Sequence, residues 1–169
     1  GTREEPLVTN RVTIRFRTAG GLIDTNFTTY RTHHGPVVRQ ESGKWIAVSL
    51  MQDPVDALTQ SYTRTKANNL AKDPATLEIY TNSSNNTLYA NADGDFAYFH
   101  SNFIPKRDPK FDWTKPVDGS DPATEWNGVL SFDESPNAVN PASGWTYNTN
   151  NWPFSAAGPN SPKKADFPA

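Results

Sequence analysis

The residues best suited to chemistry in this 169-residue chain are neutral amides. The stretch from Asn137 to Pro153 sets Asn137, Asn140, Asn148, Asn150 and Asn151 among Trp145, Tyr147 and Trp152. A carboxamide in a water-poor, aromatic setting suits an oxyanion donor, because it offers N–H without demanding a counter-charge. Losing one such donor costs roughly 2.7–4 kcal/mol of transition-state stabilisation. An Asn-rich turn is the competing reading of the same residues.

Other candidates are weaker. His33 and His34 suggest a metal, but adjacent strand residues point to opposite faces, so structural roles are expected for them and for His100. Asn91-Ala92-Asp93-Gly94-Asp95 alternates oxygen ligands like a calcium loop. Its Gly falls fourth, where that loop wants it sixth, and no closing Glu follows; Asp93-Gly94 reads better as a hairpin turn. Asp133 and Glu134 have the chemistry of an acid and a base, yet no second site pairs with them, and a solvated turn is the simpler reading. Asn26-Phe27-Thr28, Asn82-Ser83-Ser84 and Asn85-Asn86-Thr87 fit the glycosylation pattern, which an Asn- and Thr-rich chain produces by chance. No Gly-x-Ser-x-Gly elbow or phosphate-cradling Gly loop occurs.

These residues need elements to position them. Arg11 to Arg17 alternates with period two, so Val12, Ile14 and Phe16 share a strand face. Gly20-Gly21 marks a hairpin turn, Leu22 to Thr32 a second strand, and Val37 to Arg39 and Lys44 to Val48 two more, in a meander. Asp53-Pro54 is an N-cap followed by Pro at the first helical position. Val55, Leu58 and Tyr62 then fall three and four apart, predicting a helix. Asp73-Pro74 opens a second short helix to Glu78, with Leu77 inward. Thr87–Ala90 and Phe96–His100 read as strands around the Asp93-Gly94 turn. Ten of the 14 Pro lie from Pro105 to Pro168, thinning regular structure there. Trp113, Trp126, Trp145 and Trp152 in that region predict an ordered loop that packs over something. No internal repeat or dividing linker appears, so residues 1–169 read as a single domain.

Composition removes whole classes. Lys and Arg number 16 against 18 Asp and Glu, for a net charge of −2, without the cationic excess that phosphate binding requires. No apolar run approaches the roughly 18 residues of a membrane span. Nucleic acid and membrane insertion are therefore not expected partners. Cys is absent, which excludes disulfides, thiolate nucleophiles and Cys-based zinc sites. Apolar residues are only 35% and aromatic ones 12%, so a core should lean on rings.

Five stretches, taken together, resemble the penicillin acylase family of N-terminal-nucleophile amidohydrolases, which includes acyl-homoserine lactone acylases. They are Tyr30 to Val38, Leu88 to His100, Ile104 to Pro109, Glu125 to Gly128 and Asn137 to Pro153. They occur in the family's order and at about its spacing.

The resemblance implies an α+β fold: an antiparallel β-sheet segment of an αββα N-terminal-nucleophile hydrolase, with one or two short helices and a long Pro/Trp-rich loop region. It implies a precursor that cuts itself to expose a Ser, whose hydroxyl attacks a linear amide while its own α-amine acts as base. The family's Asn-x-Asn-Asn motif reads Asn148-Thr149-Asn150-Asn151 here, making Asn150 the oxyanion-hole residue and Asn151 the register alternative. Where the family usually has Trp, this chain has Thr149. No cofactor is implied for catalysis. A structural calcium in the full enzyme is implied, with the backbone carbonyl of Pro109 among its ligands and the others outside this chain.

The family's nucleophile precedes the position that matches Gly1, and Gly1 carries no nucleophile. The chain is thus expected to be an internal segment of the β subunit, partnered by the remaining α- and β-subunit segments and a small amide substrate. By itself it is expected to be inactive. A periplasmic or secreted location is the family's. The alternative is a β-rich carbohydrate- or peptide-binding module, since five Trp, six Tyr and abundant Asn suit stacking on sugars.

Overall fold

Alternation over residues 8–18 produces an 11-residue strand, β1 (Val8–Thr18), paired antiparallel with β2 (Gly21–Arg31). The turn needs Gly21 at φ +114, and Thr18 Oγ1 braces it by donating to the Gly21 carbonyl at 3.0 Å. The computed structural model describes residues 3–67, 76–82, 85–100 and 103–167. It divides into two compact units: Gly1–Leu50 with Thr114–Pro122, and Met51–Trp113 with Ala123–Ala169.

In the first unit, β3 (Val37–Glu41) and β4 (Lys44–Ala47) form a second hairpin. The two hairpins are separate two-stranded sheets, not the continuous meander that the sequence suggested. The tight turn Thr32–Gly35, in which Thr32 and Gly35 exchange backbone hydrogen bonds of 2.9 and 3.1 Å, joins β2 to β3, and pairing across it stops at the single bridge between Arg31 and Pro36. That turn removes the strand alternation expected of the histidines. The rings of His33 and His34 lie on the same side, 3.8 Å apart, and His34 Nε2 reaches the Gly119 carbonyl at 2.9 Å. Val12, Ile14 and Phe16 do share a face, with Phe27 and Ile23 opposite them, and all five are exposed at 42–49%.

The second unit holds the core. β5 (Thr87–Ala90), β6 (Phe96–Phe99) and β7 (Ala138–Val139) form one antiparallel sheet with β6 central. Being central, β6 is buried on both faces. Ala97 and Phe99 pack with Leu77, Tyr89 and Phe132 on one side, and Tyr98 with Ala138, Ala156 and Ala157 on the other. The Asn91–Asp95 turn is the expected hairpin. Gly94 sits at φ +94, and Asn91 Oδ1 accepts from the backbone N–H groups of Asp93 and Asp95, at 3.1 and 2.9 Å.

Helix α1 (Pro54–Arg64) starts where expected, with the Asp53 carboxylate capping the N–H of Asp56 at 3.2 Å. Its apolar stripe does not face the core. Val55, Leu58 and Tyr62 are exposed, and the buried position is Gln60. Gln60 Oε1 accepts from both the N–H and the hydroxyl of Thr81, at 2.9 and 2.7 Å, so this helix docks through an amide. Of the second helix, residues 73–75 lie outside the described residues; Leu77 is buried as expected.

The Pro-rich region is ordered by its rings. The Arg107 guanidinium lies 5.5 Å from the Trp113 ring and 5.7 Å from that of Trp126, whose far neighbour is Phe103 at 5.9 Å. Residues 104–106 pair with 127–130: Leu130 N–H donates to Ile104, Lys106 to Gly128 and Asn127 to Lys106, at 2.8–2.9 Å. Among the described residues, no helix is long and apolar enough to cross a membrane.

Candidate functional site

Two asparagines fasten the site to the sheet. Asn140 Oδ1 accepts from the Phe96 N–H at 2.8 Å, and Asn137 Oδ1 from the His100 N–H at 3.1 Å. They clamp β6 at both ends and create β7 between them. This strand was not legible in the sequence, because two residues carry no periodicity. Downstream, the chain folds back so that the Tyr147 N–H donates to the Ala156 carbonyl at 2.9 Å, and the Trp145 ring fills the space over Gly158.

Residues 148–151 form a turn that distributes its three carboxamides unequally. Asn148 Oδ1 accepts from the Asn150 N–H at 3.0 Å. Asn151 is fully engaged: its Oδ1 accepts from the Thr149 N–H at 2.7 Å, and its Nδ2 donates to the Trp152 carbonyl and Ser155 Oγ, both at 3.1 Å. The Asn150 carboxamide makes no hydrogen bond to any described residue. Asn150 also sits at φ +60, a left-handed conformation that Asn tolerates better than most residues.

The turn rests on the end of the β5–β6 pair. Asn86 Nδ2 lies 3.2 Å from Asn148 Oδ1 and 3.3 Å from the Asn151 carbonyl, and its Oδ1 is 2.9 Å from His100 Nδ1. Tyr98, buried beneath, aims its hydroxyl at the same Asn151 carbonyl from 3.4 Å. Burial pushes the Tyr98 phenol up to about 12 and moves His100 below the usual histidine range, keeping both neutral near pH 7.

Because the folded state holds the Tyr98 proton more tightly than the unfolded chain does, that stabilisation is intact below about pH 10 and lost as pH rises toward 12. Denaturant unfolding followed from about pH 9 upward should show stability falling with pH. The fall should be shallower in Tyr98→Phe; equal slopes would mean Tyr98 does not drive it.

The enclosure expected around Asn150 is not built by the described residues. Asn150 is exposed, Trp152 is 74% exposed and Trp145 45%. In open water a carboxamide stabilises an oxyanion little better than solvent does, so the role requires a cover from elsewhere. Glu134 is a poor base here. Lys106 Nζ lies 2.7 Å from its carboxylate and the Ser131 N–H donates to it at 2.8 Å, holding it down at about 2.

Pro109 lies exposed in a turn. The neighbouring Asp108 carboxylate is taken by Lys110, with Nζ at 3.0 Å. One carbonyl beside an ammonium group does not fit a calcium ion, which takes six to eight oxygens, so the residues around Pro109 do not make that site by themselves.

The arrangement is thus a sheet-mounted turn in which, among the described residues, the Asn150 carboxamide is wholly unengaged and Asn148 is engaged through its Oδ1 alone, with strands supplying the supports. The sequence model described as Penicillin amidase matches residues 1–168, and the chain belongs to the penicillin amidase family. Over 138 residues it is 29% identical to penicillin G acylase from Escherichia coli, an alignment taking in 75% of this chain and 15% of that protein. Its structure is similar to that of a thermostable penicillin G acylase from Alcaligenes faecalis, with a TM-score of 0.72 and 28% identity. That match covers 92% of this chain and 29% of the other. The chain therefore spans a small part of the length of these relatives, as a strand-and-loop segment with few helices.

Proposed function

We propose that this chain supplies the oxyanion-stabilising amide of an N-terminal-nucleophile amidohydrolase with an αββα fold. The substrate is a linear amide of the penicillin or N-acyl-homoserine lactone type. A Ser hydroxyl from another segment adds to the amide carbonyl carbon and passes its proton to its own α-amine. The carbonyl oxygen gains the negative charge and accepts a hydrogen bond from Asn150 Nδ2. Collapse expels the amine, which takes that proton, and leaves an acyl-enzyme that water hydrolyses.

The observation that carries this reading is the division of labour in the turn. The side chains of Asn148 and Asn151 hold the backbone, and that of Asn150 is left to meet a ligand. The segment bearing the Ser also covers the turn and excludes water from it, which is where a neutral donor gains its advantage.

The test compares the chain alone with the chain joined to a segment that presents an N-terminal Ser. Each is treated with a chromogenic anilide and followed by intact mass. The joined protein should gain one acyl group and release the amine, and the chain alone should do neither. Acylation of the isolated chain would contradict the proposal.

A further inference from the structure

We propose that Asn86 and His100 are positioning residues for the Asn150 carboxamide. The inference rests on the oxyanion reading above and adds to it the device that holds the donor still.

The atoms assign their own roles. A backbone N–H can only donate, so Asn148 takes the Asn150 N–H on its Oδ1. The Asn86 atom 3.2 Å from that oxygen, and 3.3 Å from the Asn151 carbonyl, must therefore be Nδ2. This leaves Oδ1 of Asn86 facing His100 Nδ1 at 2.9 Å, so that nitrogen must carry a proton. Neutral His100 satisfies the requirement in one tautomer only, with Nδ1–H.

The chain of constraint runs from His100, through the orientation of the Asn86 amide, to two points flanking Asn150. One point is the side chain of Asn148, two residues before it, and the other the carbonyl of Asn151, directly after it. Asn86 immediately precedes β5 and His100 immediately follows β6, so pairing of Thr87 with Phe99 brings the two together. Both are held by the rigid part of the unit, whereas the turn they support has no ladder of its own. An oxyanion donor accelerates reaction only if it needs no reorganisation, and a misplacement near 1 Å costs about 100-fold.

The experiment uses the complete enzyme that carries this chain and follows steady-state amide hydrolysis. Asn86→Asp keeps the acceptor for His100 but sets an oxygen against Asn148 Oδ1 and the Asn151 carbonyl. It should lower kcat by about 10- to 100-fold with little change in KM. The double variant Asn86→Asp/Asn150→Ala should be no slower than Asn150→Ala alone, because both act through one group. A second pair guards against misfolding. His100→Asn can place an amide N–H near the position of Nδ1 and should keep kcat within about threefold, whereas His100→Leu should match Asn86→Asp.

Full kcat in folded Asn86→Asp, multiplying losses in the double variant, or equal losses in His100→Asn and His100→Leu would each overturn the positioning role. In all three cases a slow Asn150→Ala would leave the oxyanion reading standing. A fully active Asn150→Ala would overturn both.

Discussion

Replacing Asn150 with Gly in the complete enzyme should lower kcat by about 10²- to 10³-fold while leaving the fold as stable as before. The catalytic loss follows from removing one donor to a developing oxyanion, worth roughly 2.7–4 kcal/mol. The indifference of stability follows from local structure. The Asn150 side chain bonds to no described residue, and at φ +60 a Gly relieves backbone strain about as much as its extra chain entropy costs, leaving a net within about 1 kcal/mol. Asn151→Ala should do the opposite. It abandons the Thr149 N–H and two further bonds, costing about 1–2 kcal/mol of stability, and affects kcat only through loosening of the turn. Steady-state kinetics and denaturant melts on the two variants give the ranking. A larger kcat loss in folded Asn151→Ala would shift the register by one residue.

The largest purely structural effect is expected at Gln60. Gln60→Met keeps the volume and removes the amide, leaving both the N–H and hydroxyl of buried Thr81 without their acceptor. Each orphaned group costs about 1–3 kcal/mol. Against this, Gln60 Nε2 is itself buried and has no partner among the described residues, so its removal returns a penalty of about the same size. Two losses against one gain leave a net destabilisation of about 1–3 kcal/mol, readable as a lower denaturant midpoint at unchanged slope. An unchanged midpoint would mean that α1 is held by something other than its amide.

Local signals with a strong physical cause were readable from sequence, and signals that depend on distant partners were not. The bounds of β5 and the start of α1 followed from alternation and an Asp-Pro start, and those of β2 and β6 to within a residue, whereas β1 begins three residues before the Arg11 to Arg17 alternation. The turn at Asp93-Gly94 was separated from a calcium loop by the position of one glycine. Period alone failed at α1. Its 3–4 spacing identified a helix and one apolar face, but Gln60 docks that helix because Thr81 lies opposite, a partner 21 residues away. The interruption read at His33 to Pro36 is the Thr32–Gly35 turn, and that turn sets the two histidine rings 3.8 Å apart where strand alternation would point them to opposite faces.

For the site, Asn148 to Asn151 stood out by residue type, and the family relation made Asn150 the candidate. The support beneath it was hidden. Asn86 appeared only within a chance glycosylation match, and His100 as a strand end with a structural role but no partner named, since their meeting arises from pairing across β5 and β6. Asn137 and Asn140 stood out only as amides of the Asn-rich stretch, and the two-residue strand they bracket left no mark in the sequence. The Pro/Trp-rich region was legible as ordered, and the Arg107 guanidinium between Trp113 and Trp126 shows what its rings enclose.

The most direct measurement is a crystal structure of the complete enzyme with a tetrahedral adduct on its nucleophile. Asn150 Nδ2 is predicted to lie within about 2.7–3.1 Å of the adduct's anionic oxygen, with Asn86 bridging Asn148 and Asn151 beneath it. An adduct whose oxygen is held by other donors, with the Asn150 amide still facing bulk water, would contradict the account.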